Sequence, residues 1–310
     1  MKFIPGIRLK AGIEILSENI KSAVLLKNKN GFFIQKLSHV NLPEDTIKPS
    51  FKMENIINPK AFDACLKKSH KEIGLKKIGI SLPDACVKIL IKEFKEVPKG
   101  SRDIHEMVLW TISSSLKIPI EELRVSWKNM GRNSENKYVF FISLGLDPVL
   151  VQYEEAFKKT GFFPLRLAPG GLNRFNFYCE RLPQKGCVAF WGLFDAFLQI
   201  FVFVDGIPIF YRIIKKGLLS INNTSAIDDI NLVIQYFYAE NPDLKIDSLH
   251  IASHLKSEVQ IQQILQGMSS LEFKMMDEKQ LMEFEKSSHP TTQGMSLAFY
   301  TGALGAAMGV

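Results

Sequence analysis

KSAVLLKNKNGFFIQKL, from Lys21 to Leu37, and LQIFVFVDGIPIFYRII, from Leu198 to Ile214, are the two stretches on which the fold turns. Each reads as an apolar strand, a tight turn and a returning strand. Asn30-Gly31 and Asp205-Gly206 are turn signals, because such pairs tolerate the positive φ angles of a type I′ hairpin. An offset of 175 (205 − 30) lays one turn on the other, Ala23–Leu26 on Leu198–Phe201, and Ile13 on Val188. Gly12–Leu16 precedes the first hairpin as a strand and Cys187–Trp191 precedes the second. Helical segments follow each copy. The reading is a duplicated β-meander, hence two lobes with a cleft between them.

Outward from the meanders the chain alternates strands and helices. Phe62, Leu66 and Ile73 share one face of a helix over 61–73, and Ile104, Val108, Ile112 and Leu116 do the same over 103–116. Strands are expected over 77–82, 86–94, 123–129 and 137–144. Tyr138–Ile142 is apolar on both faces, which marks a central strand. Asp147-Pro148 opens a helix that stops at Gly161, and Gly170-Gly171 opens another. Helices are further expected over 226–239, 256–266, 277–286 and 295–308, with a short strand over 247–251. The 17-residue stretch from Gly294 to Val310 has no charge. It is shorter than the roughly 20 residues a bilayer requires, so it is read as a buried small-residue helix.

Composition closes off several classes. The chain has 310 residues, 46% apolar and 23% charged, so it is neither disordered nor fibrous. The net charge of +7 is spread in short lysine clusters, at Lys67-Lys68, Lys76-Lys77, Lys158-Lys159 and Lys215-Lys216. No aromatic residues interleave with them for base stacking, so nucleic acid is not expected as a partner. Cys65, Cys86, Cys179 and Cys187 are too sparse for a disulfide framework and form no C-x-x-C pair, which reads as reduced thiols in a cytoplasmic protein. Residues 1–11 carry no secretory signal. No phosphate-loop, nucleophile-elbow or zinc-protease motif occurs. His250 and His254 are four apart, but a strand end between them argues against a metal pair, and no metal site is assigned.

Gly12-Ile13-Glu14-Ile15-Leu16-Ser17-Glu18-Asn19-Ile20-Lys21 resembles the opening of PilM-type pilus assembly proteins, G-I-D-I-G-x-x-x-V-K, with FtsA-like and GspL-like proteins as further relatives. The similarity continues at Ile118-Pro119, at Tyr153–Pro164 and at Phe203–Arg212. It implies an α/β, actin-like (ribonuclease H-like) two-lobed fold with a small α/β subdomain inserted early. The domains expected are a first lobe over 1–44 and 146–182, an insert over 45–145, and a second lobe over 183–310.

In that plan three loops hold nucleotide, and each needs glycine so that backbone N–H groups can converge on phosphate. Here the family's first-strand Asp is Glu14 and its loop glycine is Leu16. Ser17 follows, and Glu18 adds a carboxylate where phosphate would sit. In the second loop only Gly192 survives, beside Asp195 and Phe197. The third loop reads Ala252-Ser253-His254 without paired glycines. Carboxylates near phosphate repel, and each missing backbone donor forfeits roughly 1.5–3 kcal/mol. A pseudo-ATPase without cofactor is therefore expected, neither an enzyme nor a metal binder. The alternative is a working actin-like ATPase or sugar-kinase-like phosphotransferase binding Mg-ATP in the cleft.

The resemblance further implies a cytoplasmic scaffold, peripheral to the inner membrane, at the base of a type IV pilus or type II secretion-like machine. It would hold the cytoplasmic tail of a PilN-like inner-membrane protein between the core lobe and the insert. Other assembly components or a second copy are further possible partners. By location, the tail is expected near Ile80, Cys86, Val87, Lys88, Ile89 and Leu90.

Overall fold

The computed structural model describes residues 8–194, 197–214, 224–253, 272–284 and 296–310. Thirteen strands in these segments form three sheets. In the first sheet β1 (Arg8–Ile15), β2 (Asn19–Asn28) and β3 (Gly31–Asn41) make an antiparallel meander, and β4 (Lys77–Leu82) and β8 (Phe163–Pro169) run parallel to β1, in the order β3-β2-β1-β4-β8. The second sheet repeats that order and those directions. β9 (Cys187–Leu193), β10 (Leu198–Val204) and β11 (Ile207–Ile214) form the meander, and β12 (Ser248–Ser253) and β13 (Phe273–Met275) run parallel to β9, in the order β11-β10-β9-β12-β13. The duplication read from the two hairpins is a duplication of whole sheets, and the fold is the two-lobed actin-like α/β plan.

The two turns differ in detail. Asp205 and Gly206 have φ of 49° and 77°, the doubly left-handed pair a type I′ turn requires. In the first hairpin Asn28 pairs with Gly31, so Lys29 and Asn30 make the loop and only Gly31 has positive φ, at 124°. The expected turn is displaced by one residue because the Asn28 side chain accepts the Asn30 N–H at 2.8 Å and closes the loop early.

The third sheet is the insert: β5 (Val87–Phe94), β7 (Tyr138–Leu146) and β6 (Leu123–Arg132), antiparallel, with β7 central. Phe140, Ile142 and Leu144 on β7 join Val108 and Ile112 of α2 (Ser101–Leu116) in one core. That core is continuous with Ala11, Ile13 and Ile15 of β1, with α1 (Pro59–Ile73), and with α3 (Asp147–Lys159). The expected insert boundary of 45–145 is corrected by this topology. Residues 59–82 supply a helix and a central strand of the first sheet, because β4 pairs with β1 at Gly12↔Gly79, and the inserted strands begin only at Val87.

β8 was not expected as a strand. It carries two prolines, Pro164 and Pro169, which an edge strand tolerates, and β8 is an edge. The short β13 was likewise unread. Of the helix expected over 277–286 one turn, α6 (Glu278–Leu281), is present, and the helix expected over 256–266 lies outside the described residues. α5 (Thr224–Glu240) covers the far face of the second sheet.

The far end of the chain returns to the first lobe. In α7 (Thr301–Met308) residues 301–307 are all buried, as expected of a small-residue helix. It lies on the β1–β4 face, in a slot made by the in-register pair Gly12 and Gly79. A Cβ at Gly12 would collide with the backbone of Ala303 and Ala307, and one at Gly79 with that of Ala306. α4 (Gly170–Tyr178) packs beside α7 so closely that Gly305 abuts the Asn173 carbonyl. This contradicts a second lobe running through 310, since α7 covers the first sheet. One hydrophobic core, holding Ala23, Leu25, Tyr178, Phe190, Phe201 and Leu304, spans both sheets through α4 and α7.

Candidate functional site

The cleft floor is built on β1. Its odd residues face α1 and α3, and its even residues, Gly12 and Glu14, face α7. Glu14 therefore points inward and is buried. Lys21 lies opposite it in register on β2, with its ammonium 3.9 Å from the carboxylate and 3.5 Å from the centre of the Phe299 ring. Arg174 of α4 makes an ion pair with the other Glu14 oxygen. Gly302 is the residue α7 presents to this carboxylate, since a Cβ there would occupy its space.

Arg174 also reaches Asp84, just after β4, at 3.4 Å, and Asp84 accepts the Gly171 N–H at 2.8 Å. Burial pushes the Asp84 carboxyl above its usual range, opposed by Arg174 and the Gly171 N–H. From the second lobe, Gln199 donates to the Gly171 carbonyl at 3.0 Å, and the Arg174 guanidinium stacks on Phe197 at 4.2 Å with Phe194 at 5.6 Å. The arginine is held by carboxylates of one lobe and aromatic rings of the other. Buried charges persist only when paired in this way.

The expected nucleotide loops can be placed against this floor. Leu16, Ser17 and Glu18 form a tight β1–β2 connection whose Leu16 N–H is already donated to the Asn19 carbonyl at 2.9 Å. Glu18 points to solvent, while its carbonyl accepts the Leu42 N–H. In the second loop Gly192 leaves room for the Phe194 ring, which a Cβ would strike. Phe194 donates to Phe197 across a short connection, and Asp195 lies outside the described residues. Ala252 and Ser253 are buried at the end of β12, paired with Gly192 and Leu193, and His254 lies outside the described residues. Glu14, Gly192 and Ala252 thus converge on the cleft, where ionic and aromatic side chains fill the space. Arg174 was missed by sequence reasoning, which had no signal for a buried arginine within a nine-residue helix. Among the described residues no cluster of three or more metal-ligating side chains occurs.

Two grooves flank the insert. The larger, about 630 Å³, lies between the edge strands β6 and β8, with α4 and β10 as its floor. Phe175 stacks there on Phe201 and Phe203, with centroids 4.6 and 5.1 Å apart, and Phe141 of the insert stacks on Phe201 at 5.6 Å. Lys128, Met130 and Arg166 stand on its walls. Along the β8 edge Phe163 and Leu165 are 58% and 48% exposed, a large apolar presentation for a strand edge. The smaller groove, about 310 Å³, lies between β5 and β11 and is lined by Val87, Lys88, Ile89 and Leu90 with Phe51 and Tyr211. Of the residues expected to meet a partner, Ile80 and Cys86 are corrected. Ile80 is on a central strand and Cys86 is beneath the insert, both fully enclosed.

No helix among the described residues is long and apolar enough to cross a membrane. No family model matches the chain, and no curated protein matches it. Solved structures do. A chain of the PilM-PilN type IV pilus biogenesis complex superposes with a TM-score of 0.77 at 12% identity, over 96% of this chain and 97% of that one. The cytoplasmic domain of EpsL, an inner-membrane component of the type II secretion system of Vibrio cholerae, superposes with a TM-score of 0.54 at 9% identity, over 98% and 96% of the two chains. At such identities the likeness is one of fold, and it extends across both lobes and the insert: the chain has the fold of the matched chain in the PilM-PilN complex.

Proposed function

We propose that the chain is a non-catalytic, actin-like scaffold on the cytoplasmic side of a type IV pilus or type II secretion-like assembly machine. In this reading it holds the cytoplasmic tail of a PilN-like inner-membrane protein in the groove between β6 and β8. The observation that carries the reading is the groove itself, two open strand edges over an aromatic floor, between the core lobe and the insert. An extended peptide pairs its backbone with an open edge and drops alternate side chains into apolar pockets. Lys128 and Arg166 favour acidic groups on such a tail. The β5–β11 groove is half the volume and opens between the insert and the second lobe, so it supports the reading less well.

The cleft supports the non-catalytic half of the proposal. Arg174 and Phe197 fill the floor that phosphate would need, and the first-loop N–H of Leu16 is committed. The chemistry left to the cleft is adhesion between lobes. Calorimetry with Mg-ATP is expected to show no saturable heat, and micromolar binding would favour the phosphotransferase alternative. A synthetic peptide of the cytoplasmic tail of a PilN-like protein encoded beside this one is expected to bind with micromolar affinity, read from Trp127 fluorescence. Met130→Glu, at the groove wall, is expected to weaken it at least about tenfold, one lost apolar contact plus an opposing charge. Equal binding of a scrambled peptide would overturn the groove assignment.

A further inference from the structure

A third cavity, about 320 Å³, shares no residue with the cleft floor or the two grooves. Its walls are Arg181, His250, Lys274, Asp277 and Gln280, with Met276 and Leu281 on the apolar side. His250 sits in the middle of β12, between Phe190 of β9 and Lys274 of β13 in register. It is 6% exposed, and neither ring nitrogen has a hydrogen-bond partner among the described residues. Buried polar side chains are nearly always hydrogen-bonded, and an orphaned group costs about 1–3 kcal/mol. A histidine kept for packing alone would be replaceable by an apolar residue without that cost.

The surroundings say what would satisfy it. Arg181 and Lys274 are exposed at the mouth, the imidazole lies at the back, and Gln280 adds amide donors. Against them stands one carboxylate, Asp277, one oxygen of which already accepts the Lys279 N–H at 3.0 Å. Donors and positive charge are in excess, so the missing partner is an acceptor-rich anion. We propose that this cavity binds a small phosphate-bearing anion, held between the Arg181 guanidinium, the Lys274 ammonium and a ring N–H of His250. Phosphate offers enough acceptor oxygens for all three at once, in charge-assisted bonds. Met276 and Leu281 leave an apolar wall for the carbon of a monoester. The same chemistry is carried by a soluble phosphomonoester and by the headgroup of an anionic lipid.

Calorimetry of the full chain with inorganic phosphate and with glycerol phosphate is paired with sedimentation on phosphatidic acid vesicles, phosphatidylcholine vesicles being the reference. One saturable site per chain is expected in one of these arms, and which arm responds identifies the source. Lys274→Gln is expected to weaken it at least about tenfold, the loss of one charge-assisted bond. Lys274 is exposed, so this variant keeps its fold, while His250→Asn tests the buried partner once circular dichroism shows it folded. Bound anion is also expected to move the His250 ring resonances and raise the pH at which they titrate. Absence of saturable binding in every arm overturns the proposal, as does binding that both variants leave unchanged.

Discussion

Arg174 is fixed from four sides, by Glu14 and Asp84 of its own lobe and by Phe194 and Phe197 of the other. Arg174→Met would leave Glu14 buried with Lys21 at 3.9 Å as its remaining ion-pair partner. Breaking a buried pair from one side costs roughly 3–5 kcal/mol, and urea unfolding is expected to show a loss of that size. The double variant Glu14→Gln, Arg174→Met is expected to lose less than the sum of the two single variants, since the Glu14–Arg174 contact is shared by both, while Lys21 and Asp84 each still lose a partner. His250 carries a pH signature. Burial and then Lys274 hold its imidazole below its usual value, so the unfolded chain takes up a proton first as the pH falls. Among the described residues the charged groups that line its cavity are Arg181, Lys274 of β13 and Asp277, and Lys274 adds to the lowering. Stability is expected to fall as the pH is lowered through about 6.5, the ordinary histidine value. His250→Asn should flatten that slope in melts taken between pH 5 and 8, values that bracket the histidine range.

At the scale of elements, the slot under α7 is a joint made by glycine. Backbone is the nearest obstacle to a Cβ added at Gly12 or Gly79, so the α7 neighbour cannot give. Overpacking of this kind costs typically 1–3 kcal/mol and more where the backbone is the obstacle. Gly12→Ala and Gly79→Ala are both expected to lower the melting temperature, and the pair together to yield insoluble protein. The meanders, the central β7 and most helices were legible because turn chemistry and apolar period are local signals. β8 was hidden because proline argues against strands in general but not against edge strands, although Phe163, Leu165 and Leu167 alternate as a strand's residues do. The role of Gly12 was invisible for another reason. It was read as part of a family pattern, whereas its constraint comes from a helix some three hundred residues away.

At the scale of the whole molecule, the two lobes share a core through α4 and α7, and Arg174 and Gln199 stitch the floor of the cleft. Lobes that close around a ligand need separate cores and a hinge, and here the joint is continuous. Thermal unfolding is expected as one calorimetric transition covering both lobes, and two resolved transitions would show them to be independent. That the three loops lack the family's glycines could be read from the sequence. What replaced them could not, because an arginine within α4 gives no sign of facing a glutamate on β1.

The path of the chain also orders its birth. β1 to β4 of the first sheet leave the ribosome before the insert strands and the second sheet, yet their Gly12–Gly79 face stays bare until Thr301–Met308 has been made, after the second sheet. Such distant pairing is slow, and nascent chains stalled short of residue 301 should remain open to protease in their N-terminal third while the later meander is already protected. The strands made earlier stay loose until a helix made after the second sheet closes over them.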